Sequence, residues 1–151
     1  MDDEVLENEE VVLAYIAGLF DGEGSIIMNR SERRNFYLRC QLTNTNVEVL
    51  KFVQGLLGGA WVEDNRDYLG NKRCYYLRWS GQKAQEVLFT LLPYLIIKEK
   101  EAKLVADLDF CRANSGKWLD VYERENRRLV YQTLRKWRGK KWSLDLAEKS
   151  K

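Results

Sequence analysis

Hydrophobic positions change their period several times along the 151-residue chain. Val12, Leu13, Ile16, Leu19 and Phe20 recur at helical spacing, and Gly22 and Gly24 interrupt the pattern, which predicts a first helix over roughly 10–20. The segment SIIMNRSERRNFYLRCQLTN holds two alternating runs around a polar turn at 31–35, the pattern of a β-hairpin. NVEVLKFVQGLL is a second amphipathic helix, with an asparagine cap at Asn44 or Asn46 and a stop at Gly58–Gly59. AWVEDNRDYLGNKRCYYLRWS is a second hairpin turning near Gly70–Asn71. Ser80 or Gly81 opens a third helix through QKAQEVLFTLLPYL, and helices over 98–112 and 124–137 follow.

The order is αββαββα with further C-terminal helices, and hairpins stand in place of βαβ crossovers. This predicts an α+β fold in which helices cover one face of a mainly antiparallel, curved four-stranded sheet. With 45% hydrophobic residues the chain can bury one core, so one domain is expected over 1–151. Residues 1–9 form an acidic extension, and about 114–151 a basic helical one. Ile26, Met28, Leu38, Cys40 and Leu42 share the core face of the first hairpin, leaving Ser25, Asn29, Ser31, Tyr37, Arg39 and Gln41 on the other. That second face reads either as an ordinary solvated surface or as one that enters a DNA major groove.

Composition narrows the chemistry. The chain has no histidine, which excludes Ser-His-Asp and Cys-His triads, H-E-x-x-H zinc sites and histidine-based nuclease motifs together. Hydrolysis here has to rest on carboxylates, lysine and metal. Cys40, Cys74 and Cys111 are odd in number and widely spaced, as expected of small buried hydrophobes in a reducing compartment. No apolar run approaches a membrane span and the start is acidic, so an intracellular protein is expected, in a prokaryotic cytoplasm or an organelle. The net charge of +2 hides a bias: six of the 23 acids lie in residues 1–10, leaving 17 acids against 25 bases elsewhere. The stretch 124–141 holds eight bases and one acid, either a solvated helix face or a phosphate-contacting one.

The end of the first helix raises an electrostatic question. Asp21 and Glu23 lie at the negative end of the helix dipole, where an acid costs about 0.3–1 kcal/mol. Just before them Ala14, Ala17 and Gly18 form a small-residue edge that suits either intrachain packing or close approach of a second helix. If two such helices pack side by side, their acids converge and require a hard cation such as Mg²⁺.

IAGLFDGEG (16–24) resembles the nine-residue signature of the LAGLIDADG homing endonucleases, with Gly18 third, Asp21 sixth and Glu23 eighth. The order of strands and helices is also similar to that family. LLPYLIIKEKEAKLV (91–105) resembles its later helix–lysine–helix segment, and RENRRLVYQTLRKWRGK a basic tail found in many members. A single signature implies a homodimer with its two signature helices at the axis. The resemblance implies a site-specific endonuclease that makes a metal-dependent double-strand break in a long pseudo-palindromic DNA target. It implies Mg²⁺ as cofactor, with Mn²⁺ or Ca²⁺ able to occupy the same site. The alternatives are an RNA-binding maturase acting on intron RNA and a non-cleaving DNA-binding protein of the same fold.

Carried over by position, Glu23 is the metal-binding carboxylate, the Gly22 carbonyl a further ligand, and Lys98 the active-site lysine. Asn44 matches a polar position that orders water. Asp21 ties down backbone at the helix end and, with Ala14, Ala17 and Gly18, belongs to the dimer interface. Asn29, Ser31, Arg33, Arg39 and Gln41 from the first hairpin, and Glu63, Asn65, Arg73 and Tyr75 from the second, are the expected base readers, and Lys140 is a further expected DNA-binding residue. Two departures stand out: glutamate replaces the commoner aspartate at the eighth position, and Glu48 stands where some members have arginine.

Overall fold

In a computed structural model describing residues 3–30, 35–64, 74–108 and 121–149, α1 spans Asp3–Glu23 and overruns the predicted helix at both ends. Gly22 does not stop it, because a helical glycine costs only about 1 kcal/mol and the neighbouring Asp21 is fastened by its side chain. Gly24 then opens β1, and here the missing side chain is required. A Cβ at Gly24 would lie 2.5 Å from the Phe20 ring and 2.6 Å from the Phe20 carbonyl oxygen.

β1 (Gly24–Arg30) and β2 (Phe36–Asn44) form the first hairpin, with Gly24 paired to Leu42, Ile26 to Cys40 and Met28 to Leu38. β3 (Ala60–Asp64) and β4 (Cys74–Ser80) form the second. β4 pairs with β2, so the antiparallel sheet runs β1-β2-β4-β3. Ile26, Met28, Leu38, Cys40, Leu42, Leu77 and Trp79 project from one face into the core, as the alternation predicts for the first hairpin. Burial pushes the Cys40 thiol well above the usual thiol range, making it an inert core residue.

Helices cover that face. α2 (Val47–Leu57) begins at Asn46, whose Oδ1 accepts from Val49 N at 3.1 Å, while Asn44 Oδ1 accepts from Asn46 N at 2.8 Å. Both asparagines therefore serve the same helix start. After α2 the chain turns through Gly58 and Gly59 at positive φ, and a Cβ on Gly59 would meet the Trp79 indole nitrogen at 2.8 Å. α3 (Gly81–Leu91) runs into a 3-10 turn at Leu92–Tyr94 that contains Pro93. α4 (Glu99–Ala106) ends short of the predicted 112, and residues 109–112 lie outside the described residues.

α5 (Val121–Lys149) is longer than predicted and lies against the first hairpin. Val130 and Leu134 join the core, and the Tyr131 ring packs on Phe36 at 5.1 Å between centroids. Arg127 is buried with this apolar stripe: its Nε donates to Glu123 at 3.0 Å and its guanidinium also donates to the Phe36 carbonyl at 3.0 Å. Part of the basic C-terminal stretch is therefore structural. Among the described residues no helix is long and apolar enough to cross a membrane.

Candidate active site

Asp21 is only 7% exposed, and its carboxylate reaches from α1 to the segment that precedes α4. One oxygen accepts from Ile96 N at 2.8 Å and the other from Lys98 N at 3.0 Å. The Lys98 ammonium turns back onto α1 and donates to the Asp21 carbonyl oxygen at 2.6 Å. The last carbonyls of a helix lack intrahelical partners and carry its negative pole. Lys98 thus supplies a cation at the helix end from within the chain itself. Contact between residues 77 positions apart places Lys98 beside Gly22 and Glu23.

Glu23 and Gly22 are exposed at the tip of α1. Nothing lies within 4 Å of a Cβ built on Gly22, so its backbone can be approached closely. Asn44 ends β2, two residues beyond the Leu42 that pairs with Gly24, so the strand carries it toward the level of Gly22. Its oxygen is already used on Asn46 N, which leaves its amide NH₂ as donor. Among the described residues no three acidic or cysteine side chains gather to hold a metal.

The expected dimer stripe divides. Ala14 and Gly18 are exposed, and Gly18 has open space where a side chain would stand. Ala17 is fully buried in the chain's own core and cannot touch a partner, a correction that follows from helical geometry, since its neighbours Ile16 and Phe20 point inward. Asp21 is likewise committed inside the chain by its two hydrogen bonds, rather than to an interface. Val11 and Tyr15 stand on the exposed side of α1 in place of Ala17, at 66% and 56% exposure.

The open sheet face carries Ser25, Asn29, Tyr37, Arg39 and Gln41 as predicted. The Arg39 guanidinium lies over the Tyr37 ring at 5.6 Å. CYYLRWS leaves the phase of the last strand open, since Arg78 falls opposite Tyr75, and the strand pairing decides it against Tyr75 and Glu63 as base readers. Directly paired residues share a face, so Arg78, paired with Gln41, lies on the open face, and so does Tyr76, paired with Thr43. Tyr75 points to the helix side, where it packs against Trp61 at 5.4 Å, and Glu63, its pairing partner, goes with it. Neither is placed to read DNA from this face. The usable signal was the burial demand of Leu77 and Trp79, which outweighs the preference of Tyr75 for a surface. No carboxylate lies on the open face of β1, β2 or β4 among the described residues. The Nε–H groups of Arg39 and Arg78 are covered and have no hydrogen-bond partner there. Ser31, Arg33, Asn65 and Arg73 lie outside the described residues, and Lys140 falls within α5 with its side chain also outside them.

Solved structures share this architecture. The homing endonuclease I-CvuI, crystallised with its target in the presence of calcium, superposes with a TM-score of 0.67 at 21% identity over 83% of this chain and 81% of its own. The archaeal intron-encoded homing endonuclease I-Vdi141I, complexed with DNA, gives 0.67 at 19% identity over 85% and 84%. The meganuclease I-SmaMI, bound to DNA, gives 0.61 at 19% identity over 80% of this chain but 43% of its own. No curated protein sequence matches significantly. The family model for the LAGLIDADG-like domain matches residues 10–92, which run from within α1 through the four-stranded sheet, α2 and α3 to Leu92, the first residue of the 3-10 turn. The chain belongs to the LAGLIDADG family of homing-endonuclease-like proteins.

Proposed function

We propose that the chain is a homodimeric, divalent-metal-dependent endonuclease that cuts both strands of a pseudo-palindromic DNA site. The observation that carries this reading is the lock between Asp21 and residues 96–98, which holds Lys98 at the helix tip beside exposed Glu23. The Glu23 carboxylate and the Gly22 carbonyl are oxygen donors of the kind a hard divalent cation takes. They are too few to enclose one, which fits a site completed by a second chain and by phosphate oxygens. When bound, the metal would act as a Lewis acid on the phosphate and favour hydroxide from water.

The chain's own groups have separate roles in this reading. Lys98 retains ammonium donors beyond the one given to Asp21 and stabilises negative charge developing on the phosphate. Asn44 holds water near the helix tip. Arg39, Gln41 and Arg78 read base edges from the sheet, where a bidentate arginine–guanine pair gives about 1–3 kcal/mol of discrimination.

A second copy is supported by the surface around α1. Ala14, Gly18 and Gly22 leave a strip without bulk, flanked on one side by exposed Tyr15 and Phe52 in edge contact at 6.4 Å. On the other side, the segment tied to Asp21 exposes Ile96 and Ile97 at 83% and 71%. Exposed apolar surface around a close-approach strip is what a helix-to-helix interface needs. The chain also matches under half of I-SmaMI's length, so two copies provide a comparable body. The test is selection of cleaved sites from a randomised duplex library with Mg²⁺. Double-strand cuts at near-palindromic sites are expected, lost in Glu23→Gln while DNA binding persists; cutting retained by that variant would refute the assignment.

A further inference from the structure

Beside the helix tip lies a cavity of about 270 Å³, walled by residues 24–27 of β1, by Lys98 and Glu101, and by Arg138 of α5. It begins one residue after Glu23. α5 is fastened at this end twice, although it is remote in sequence. The Lys100 ammonium sits 4.1 Å from the centre of the Trp137 ring, and the Arg138 guanidinium donates to the Ile26 carbonyl of the edge strand. That bond engages one guanidinium nitrogen and leaves most of the five N–H donors of Arg138 unused. Lys98 brings two more. Glu101 forms no ion pair with either cation among the described residues, so the cavity presents two cations against one acid.

We infer that Arg138 is a phosphate-binding residue of the cutting site. Its bond to Ile26 orients the guanidinium, and its remaining donors, with those of Lys98, take a DNA backbone phosphodiester next to the Glu23 tip. Arginine's planar fork matches two phosphate oxygens at once, and the latch to β1 removes part of the entropy cost of holding a long side chain in place. The C-terminal helix is then a part of the active site as well as a cover for the first hairpin. This inference rests on the DNA-cutting reading above.

The test is affinity for a short duplex without divalent metal, measured against salt in the wild type, Arg138→Gln, Arg138→Lys and the control Lys83→Gln on α3, with single-turnover cutting of a selected site alongside. Loss of one phosphate contact lowers the salt slope by about 0.9. That reduction is expected in Arg138→Gln, and not in Arg138→Lys or Lys83→Gln. Cutting at saturating DNA should slow about 10- to 100-fold in Arg138→Gln, the size of one charge-assisted hydrogen bond. A wild type that binds with the larger slope but cuts nothing would remove the endonuclease reading and leave the phosphate contact standing. A wild type that cuts, with slope and rate unchanged in Arg138→Gln, would overturn the inference. If Arg138→Gln melts too low to assay, Glu101→Gln decides: it leaves the latch alone and should bind DNA more tightly at fixed salt, and unchanged affinity would overturn the inference.

Discussion

Replacing Asp21 with asparagine tests whether one carboxylate holds the two halves of the site together. The side chain is 7% exposed and receives two backbone N–H groups, at 2.8 and 3.0 Å. Hydrogen bonds to a charged group contribute about 1.5–3 kcal/mol each, whereas neutral ones contribute about 0.5–1.5. Asparagine keeps one of the two as a neutral bond and turns its NH₂ toward the other N–H, so that bond is lost and two donors oppose each other. Removing an acid from the negative helix end returns only about 0.3–1 kcal/mol. The net loss should be about 2–4 kcal/mol, or roughly 5–15 °C in melting temperature for a chain of this size. Urea unfolding should show the loss with an unchanged m-value. Hydrogen exchange should quicken at Ile96 and Lys98, and cutting should fall because Lys98 is no longer held in place. A loss below about 1 kcal/mol with both amides still protected would refute the reasoning.

Gly18→Leu should act with opposite signs on fold and assembly: the position is open and helical, so the melting temperature holds or rises, while sedimentation shows a weaker dimer. A dimer as tight as wild type at low concentration would refute the helix contact. Gly24→Ala forces a Cβ to 2.5 Å from the Phe20 ring, itself 1% exposed, and should cost about 1–3 kcal/mol or more in urea unfolding. Arg127→Ala removes the buried bonds to Glu123 and to the Phe36 carbonyl, and a loss of about 3–5 kcal/mol is expected in denaturation. A surface-like loss below about 0.5 kcal/mol would show that this arginine does not fasten α5.

Local pattern determined much of this molecule. Alternation in the first hairpin assigned Ile26, Met28, Leu38, Cys40 and Leu42 to the core, because side chains alternate strictly along a strand and one face must leave water. Helical spacing located α1, the αββαββα order followed from hairpin and helix periods, the signature 16–24 marked Glu23, and the segment 91–105 marked Lys98.

Tertiary structure alone decided the rest, because those features depend on which distant groups meet. The phase of β4 was ambiguous in CYYLRWS, and only the pairing of Gln41 with Arg78 and the burial of Leu77 and Trp79 settled it. Ala17 and Gly18 are equivalent as small residues in the sequence, yet one faces the core and the other open space. The cation at the end of α1 comes from a lysine 77 positions away, and the arginine beside it, on α5, lies 112 positions from the Ile26 it bonds. Periodicity reports which side of an element avoids water; it carries no information on what lies across the gap, and that is where the chemistry of this site is assembled.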